Sequence, residues 1–276
     1  MSILDEEFLS KLKKDYQIDN HLVESIIPIA KLPYQEFTME ELPFENSILT
    51  IQDILSKIDI SFLRIFNQML NEEDPDKPII YTYDSQNSLD ENESLTYRHE
   101  IHFYKTNTTA DIYFLLHEFS HYLINRNNAY SSYKSNNEIV PMLMEYIISI
   151  ELNNQEFIKH RLNDIIFQAK SLVIKSNILK GNYNLDSLYQ EYNFTEEDIR
   201  KFETDLLYSK NLKCDEEIGN IKGFIYASYY ANLDPITNYL KLVEQLNIKR
   251  EINLPTISIN DIIINIYNKK RIASTK

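Results

Sequence analysis

From Thr109 onward, apolar residues recur every three or four positions in eight successive segments, 109–125, 138–152, 155–176, 186–193, 196–209, 216–231, 235–247 and 260–270. That is the period of an amphipathic helix, and short polar breaks separate one segment from the next. Asp234-Pro235 supplies a start signal, a cap followed by proline at the first helical position. Thr195 followed by Asp198 has N-cap spacing. A chain patterned this way has room for little besides a mainly α fold. Glycine agrees, with three in 276 residues against a usual share of about 7%. The scarcity argues against glycine-rich phosphate loops, propellers and collagen-like repeats. Neither a GxGxxG nor a GxxxxGK[ST] string occurs, so dinucleotide and P-loop binding lack support.

The first third is more mixed. Ser2 and Asp5 have capping spacing ahead of an Ile3, Phe8, Leu9, Leu12 stripe, and a second helix is predicted from His21 to Ala30. Pro33 and Pro43 break the segment between them, and helix resumes from Ser47 to Leu70. Two stretches read as strands, IIYTYD at 79–84 and SLTYRHEIHFYK at 94–105, both rich in β-branched and aromatic residues. With a polar loop between them, they predict an antiparallel pair. The fold class is therefore mainly α (α+β) with a small antiparallel sheet. No repeat or low-complexity linker interrupts the chain. One domain over 1–276 is the simplest organisation, with N-terminal helices (1–75), a small sheet (76–106), a central helix pair (107–152) and a C-terminal helical part (153–276).

The charge balance is 28 − 42 = −14. A nucleic-acid binder would show the opposite sign or a basic stripe, and the most basic stretch here is only Lys269-Lys270-Arg271. The single cysteine, Cys214, excludes an intramolecular disulfide and multi-cysteine zinc sites, and fits a reducing compartment. The first residues carry acids before any apolar run, unlike a secretory signal. No apolar stretch approaches the roughly 20 residues of a membrane span. These features predict a cytoplasmic protein with neither nucleic acid nor membrane as partner.

The informative string is His117-Glu118-Phe119-Ser120-His121, set in the apolar run DIYFLLHEFSHYLI. Thr108 and Asp111 have capping-box spacing and start the helix about two turns earlier. Four residues advance a helix by about 400° and 6 Å, so both imidazoles leave one face and can share one zinc ion at about 2.0–2.1 Å. Glu118 lies about 100° round the helix, poorly placed as a ligand but able to reach the attacking water as general base. A chance HExxH arises in roughly one sequence of this composition in a hundred. The plain alternative, a core helix carrying two unpaired imidazoles, is costly. Predicted, then, is one Zn(2+) ion.

A catalytic zinc needs a third protein ligand and an open position. EIVPMLMEYIISIEL reads as an apolar helix interrupted by Glu138, Glu145 and Glu151. Glu138 and Glu145 share a helix face but stand about 10.5 Å apart along it, so they cannot both touch one ion. Pro141 belongs in or near the first turn, which puts Glu138 at the helix start. Glu138 is chosen as ligand and Glu145 as partner to a ligating histidine; the reverse assignment stays open, and a solvated face is the plain alternative for Glu145.

The run NTTADIYFLLHEFSHYL resembles the strand-to-helix passage of the oligoendopeptidase F and thimet oligopeptidase family. In that family a second helix supplies a glutamate ligand, with another Glu seven residues on, and Glu138 and Glu145 match this spacing. The segment Gly223-Phe224-Ile225-Tyr226-Ala227-Ser228-Tyr229-Tyr230 resembles the family's tyrosine-rich C-terminal helix. The resemblance implies that Tyr229, with Tyr226 or Tyr230, stabilises the tetrahedral intermediate; aromatic core packing is the alternative. Many members carry a histidine just before that stretch, whereas this chain has none after His160. By the same resemblance TYRHEIHFYK is the edge strand beside the metal, able to hold an extended peptide. The likeness covers 97–150 and 219–233 and implies a minimal, catalytic-core version of the fold.

These readings converge on a gluzincin-type, zincin-like zinc metallopeptidase core. His117, His121 and Glu138 hold the ion, Glu118 is the base, and a peptide or protein is the substrate. Two alternatives are a protease dedicated to one regulatory or host protein and a zinc-stabilised binding protein without turnover. His99 and His102 have odd strand spacing and so point to opposite faces. His21 and His160 read as helix-surface residues, and Cys214 has no assigned role.

Overall fold

The computed structural model describes residues 4–12, 20–84, 94–97, 99–126, 137–209, 212, 214–249 and 254–257. In chain order its elements are α1 (Glu6–Lys11), α2 (Asn20–Ala30), α3 (Phe44–Ile58), α4 (Ile60–Leu70), β1 (Ile79–Asp84), β2 (Leu95–Tyr97) and β3 (Glu100–Lys105). There follow α5 (Ala110–Asn125), α6 (Ile139–Glu151), α7 (Glu156–Leu179), α8 (Leu185–Glu191), α9 (Glu196–Ser209), α10 (Asp215–Ala231) and α11 (Pro235–Lys249). The fold is mainly helical with one small mixed sheet. Ser2 and the segment 260–270 lie outside the described residues.

Local signals set most helix ends. Asp5 Oδ1 accepts from the Phe8 N–H and starts α1. Thr195 and Asp198 exchange a reciprocal pair of side chain–backbone bonds at the start of α9. Asp234 accepts from the Thr237 N–H at the start of α11. The single helix expected from Ser47 to Leu70 is two helices. Asp59 ends α3 in extended backbone, and its carboxylate accepts from the Ser61 N–H to begin α4. The apolar stripe continues across this break, so periodicity alone hides it.

The sheet departs from the expected antiparallel pair. β1 pairs with β3 in parallel, with Ile79 opposite Glu100 and Asp84 opposite Lys105. β2 pairs antiparallel with the other side of β3, giving the order β1-β3-β2. The run 94–105 is thus two strands with a reversal between Tyr97 and Glu100. Two reversals return the chain to its first direction, so β3 runs parallel to β1. β3 is consequently central, against the expectation that 96–105 is an edge strand, and β1 and β2 are the two edges. His99 precedes β3 and sits within 3.2 Å of the Pro75 carbonyl through Nε2, so the opposite-faces argument does not apply to it.

Two compact units emerge from the packing. One comprises Glu36–His160 and Lys222–Pro255. Here α5 packs on α6, α11 packs on both, and β2 and β3 lie against α5. Its core includes an edge-to-face contact of Phe66 with Phe119 and a buried hydrogen bond between Ser120 and Tyr239. His160 is buried, against expectation, because Phe37, Phe114 and Phe157 surround its ring. The other unit comprises Met1–Gln35, Arg161–Ile221 and Thr256–Lys276. In it the buried Lys170 ammonium donates to the Asn193 carbonyl and lies 4.2 Å from the Tyr34 ring centroid. The Tyr34 hydroxyl in turn donates to Asp198. Among the described residues, no helix is long and apolar enough to cross a membrane.

Candidate metal centre

The loop from β3 into α5 is fixed by one buried acid. Asp111 accepts from the Thr106 N–H at 2.8 Å, the Thr106 hydroxyl at 2.7 Å and the Asn107 N–H at 2.9 Å. Asn107 takes a left-handed turn, with φ 54°, a conformation asparagine tolerates better than most residues. Asp111 thus reaches back to 106 and 107, and not to Thr108 as a capping box would. Two turns further along α5 stand His117 and His121, their ring centroids 4.9 Å apart.

On α6, Glu138 occupies the N-cap position, yet its side chain caps no helix N–H. Its two oxygens are instead turned to α5. Oε2 lies 3.4 Å from His117 Nε2, and Oε1 lies 3.4 Å from His121 Nε2. Pro141 falls at the third helical position, where no intrahelical N–H is required. Seven residues beyond Glu138, Glu145 Oε1 meets His117 Nδ1 at 2.7 Å. One imidazole is thereby held between two buried carboxyl groups, Glu138 at 5% and Glu145 at 1% exposure. With Nδ1–H given to Glu145, Nε2 is the nitrogen left to face Glu138 and His121. Burial works against a charged His117, but the facing Glu138 carboxylate and the hydrogen bond to Glu145 outweigh it and push the imidazole up to about 10. Burial likewise opposes ionisation of Glu138, and the neighbouring His121 and His117 overcome it and hold the carboxyl well below its usual range.

The donor atoms of His117, Glu118 and His121 also lie within 4.8 Å of one another. Glu118 differs from Glu138, however, in being engaged elsewhere. Thr96 of β2 sets its hydroxyl 2.7 Å from Glu118 Oε2 and 2.9 Å from the Glu118 carbonyl. Donors sharing a tetrahedral ion at about 2.0–2.1 Å stand about 3.3–3.4 Å apart, close to the separation of Glu138 from each imidazole. The set of two imidazoles and one carboxylate suits zinc.

Two residues near this cluster carry no sequence signal for a site. One is Thr96. The other is Gly223 of α10, where an added Cβ would lie 2.6 Å from Glu138 Cβ and 3.0 Å from Met142 Sδ. An isolated glycine within a helical pattern was the only hint of such a close approach. Among the candidate tyrosines, Tyr226 donates to the Pro255 carbonyl at 3.2 Å, and Tyr229 and Tyr230 pack edge to face at 5.3 Å. Helical geometry sets Tyr226 and Tyr230 on the Gly223 face of α10 and turns Tyr229 about 120° from it. Burial raises the Tyr226 and Tyr230 phenols above their ordinary value.

Set against known protein families, curated proteins and solved structures, the chain matches none of them.

Proposed function

We propose that the chain is a zinc-dependent peptidase in which His117, His121 and Glu138 hold the ion and Glu118 is the general base. The observation that carries this reading is the pair of 3.4 Å contacts from the Glu138 oxygens to the two Nε2 atoms, with Glu118 next in sequence. Bound there, zinc would polarise a peptide carbonyl and acidify water. Glu118 takes the proton from the attacking water and delivers it to the departing amine. Glu145 orients His117 by accepting from Nδ1. The sheet edge at β2, beside α5, is the proposed seat of an extended peptide. Tyr230, on the Gly223 face of α10, is better sited than Tyr229 to donate to a developing oxyanion, and the Tyr226 proton is already given to the Pro255 carbonyl.

The test joins metal analysis to turnover. Purified protein should hold one zinc per chain and cleave members of a quenched peptide panel. Glu118→Gln should keep the zinc and lose turnover by about 10²–10⁴-fold. Full activity in that variant overturns the mechanism. Bound zinc with no cleavage of peptides or folded proteins favours a binding protein instead.

A further inference from the structure

Glu118 needs a device that aims it, because a glutamate on a helix surface has three rotatable side-chain bonds and a general base works only within hydrogen-bond reach of its proton. Thr96 stands in the right place. In the β2–β3 register it lies opposite Ile101, a fully buried residue, so its side chain points inward from the sheet toward α5. Its hydroxyl reaches both Glu118 Oε2, at 2.7 Å, and the Glu118 main-chain carbonyl, at 2.9 Å. A threonine hydroxyl has one proton and two lone pairs, so only one of these oxygens receives the proton at a time. Given to Oε2, at the shorter distance, the proton ties the carboxylate to β2 and restricts how it can swing; given to the carbonyl, it ties β2 to the α5 backbone. The contact with the carboxylate uses Oε2 and leaves Oε1 for a water or a leaving amine. β-Branching makes Thr96 stiff about χ1, which suits a residue whose task is orientation.

We propose that Thr96 is a positioning residue for Glu118, fixing the base from the edge strand without touching the reacting atoms. This rests on the peptidase reading for its kinetic consequence but not for its structural one. Thr96→Val removes the hydroxyl at nearly constant shape, and Thr96→Ser keeps the hydroxyl. In crystals of the metal-free protein, Glu118 should hold one rotamer in wild type and Thr96→Ser and adopt others in Thr96→Val. In steady-state kinetics of the zinc-loaded protein, Thr96→Val should lower kcat by about 10–100-fold with KM and bound zinc unchanged, and Thr96→Ser should restore most of it. An unchanged Glu118 rotamer in Thr96→Val overturns the proposal, and so does an unchanged kcat. If wild type cleaves nothing while the rotamer still responds to Thr96→Val, the positioning role stands and the peptidase reading fails.

Discussion

Gly223→Ala separates two physical expectations of opposite sign. By helix propensity alone, alanine in the interior of α10 should stabilise the protein by roughly 0.5–1 kcal/mol. The packing says otherwise. The new methyl would meet Glu138 Cβ at 2.6 Å, the Glu138 carbonyl carbon at 3.0 Å and Met142 Sδ at 3.0 Å. Carbon atoms rest at about 3.5–4.0 Å, so Glu138 or α10 must retreat by about 1 Å. Metal–ligand distances tolerate only about 0.2 Å, and the displaced atom lies two bonds from the carboxylate that faces both imidazoles. Overpacking of this kind costs about 1–3 kcal/mol. Borne by the zinc-bound state alone, that is roughly a 5- to 150-fold loss of zinc affinity; borne by both states, it appears as a lowered Tm of the metal-free protein. Zinc competition against a chromophoric chelator and thermal melts of the chelated protein read the two shares separately. A Gly223→Ala protein that melts no lower than wild type and binds zinc as tightly would refute the argument.

Glu138→Ala should abolish stoichiometric zinc while Glu145→Gln weakens zinc binding about 10–100-fold, as measured by metal content after dialysis; the opposite ranking would make Glu145 the ligand. The metal-free protein should lose stability as pH rises from about 6.5 toward about 10, because folded His117 still holds a proton there that the unfolded imidazole has released. Urea titrations across that range measure it, and a flat profile would contradict the bracketing of His117 by Glu138 and Glu145. Zinc must displace the same proton, so apparent zinc affinity should climb up to about tenfold per pH unit over this window.

Helix positions were legible in the sequence because their determinants are local. Asp5, Thr195 with Asp198, and Asp234 each act on an N–H three residues away, and apolar spacing carries the rest. What failed was not local. The stripe from Ser47 to Leu70 continues through Asp59, which one residue's capping chemistry divides into α3 and α4. The strand run 94–105 kept its β character while turning back on itself, and neither the reversal nor the choice of β1 as a parallel neighbour is encoded by alternation. The candidate site divides the same way. His117, Glu118 and His121 are a helix-turn pattern, and Glu138 and Glu145 are a seven-residue spacing on one face. Thr96 and Gly223 act only through contacts made across the fold, at sequence separations of 22 residues for Thr96 to Glu118 and 223 − 138 = 85 for Gly223 to Glu138, so no local pattern marks them.

The charge arrangement adds an argument independent of spacing. α6 buries two carboxyl groups, Glu138 and Glu145, among residues as apolar as Ile139, Val140, Leu143 and Ile147. Burying carboxylates is costly unless opposite charge compensates them. A proton on His117, held by both acids, offsets one of the two, and His121 faces the other at Glu138 Oε1. The proposed divalent cation, beside neutral imidazoles, would offset both from the side where His117 Nε2 and His121 Nε2 face the Glu138 oxygens. The pairing of a 2.7 Å contact at His117 Nδ1 with 3.4 Å contacts at the two Nε2 atoms follows the same logic. The short contact is an ordinary hydrogen bond, complete as it stands. The longer two are too wide to be strong hydrogen bonds and match the span of donors about one small ion. Glu145 thus meets His117 at hydrogen-bond distance, whereas Glu138 faces two imidazoles at the spacing that the proposed zinc site requires.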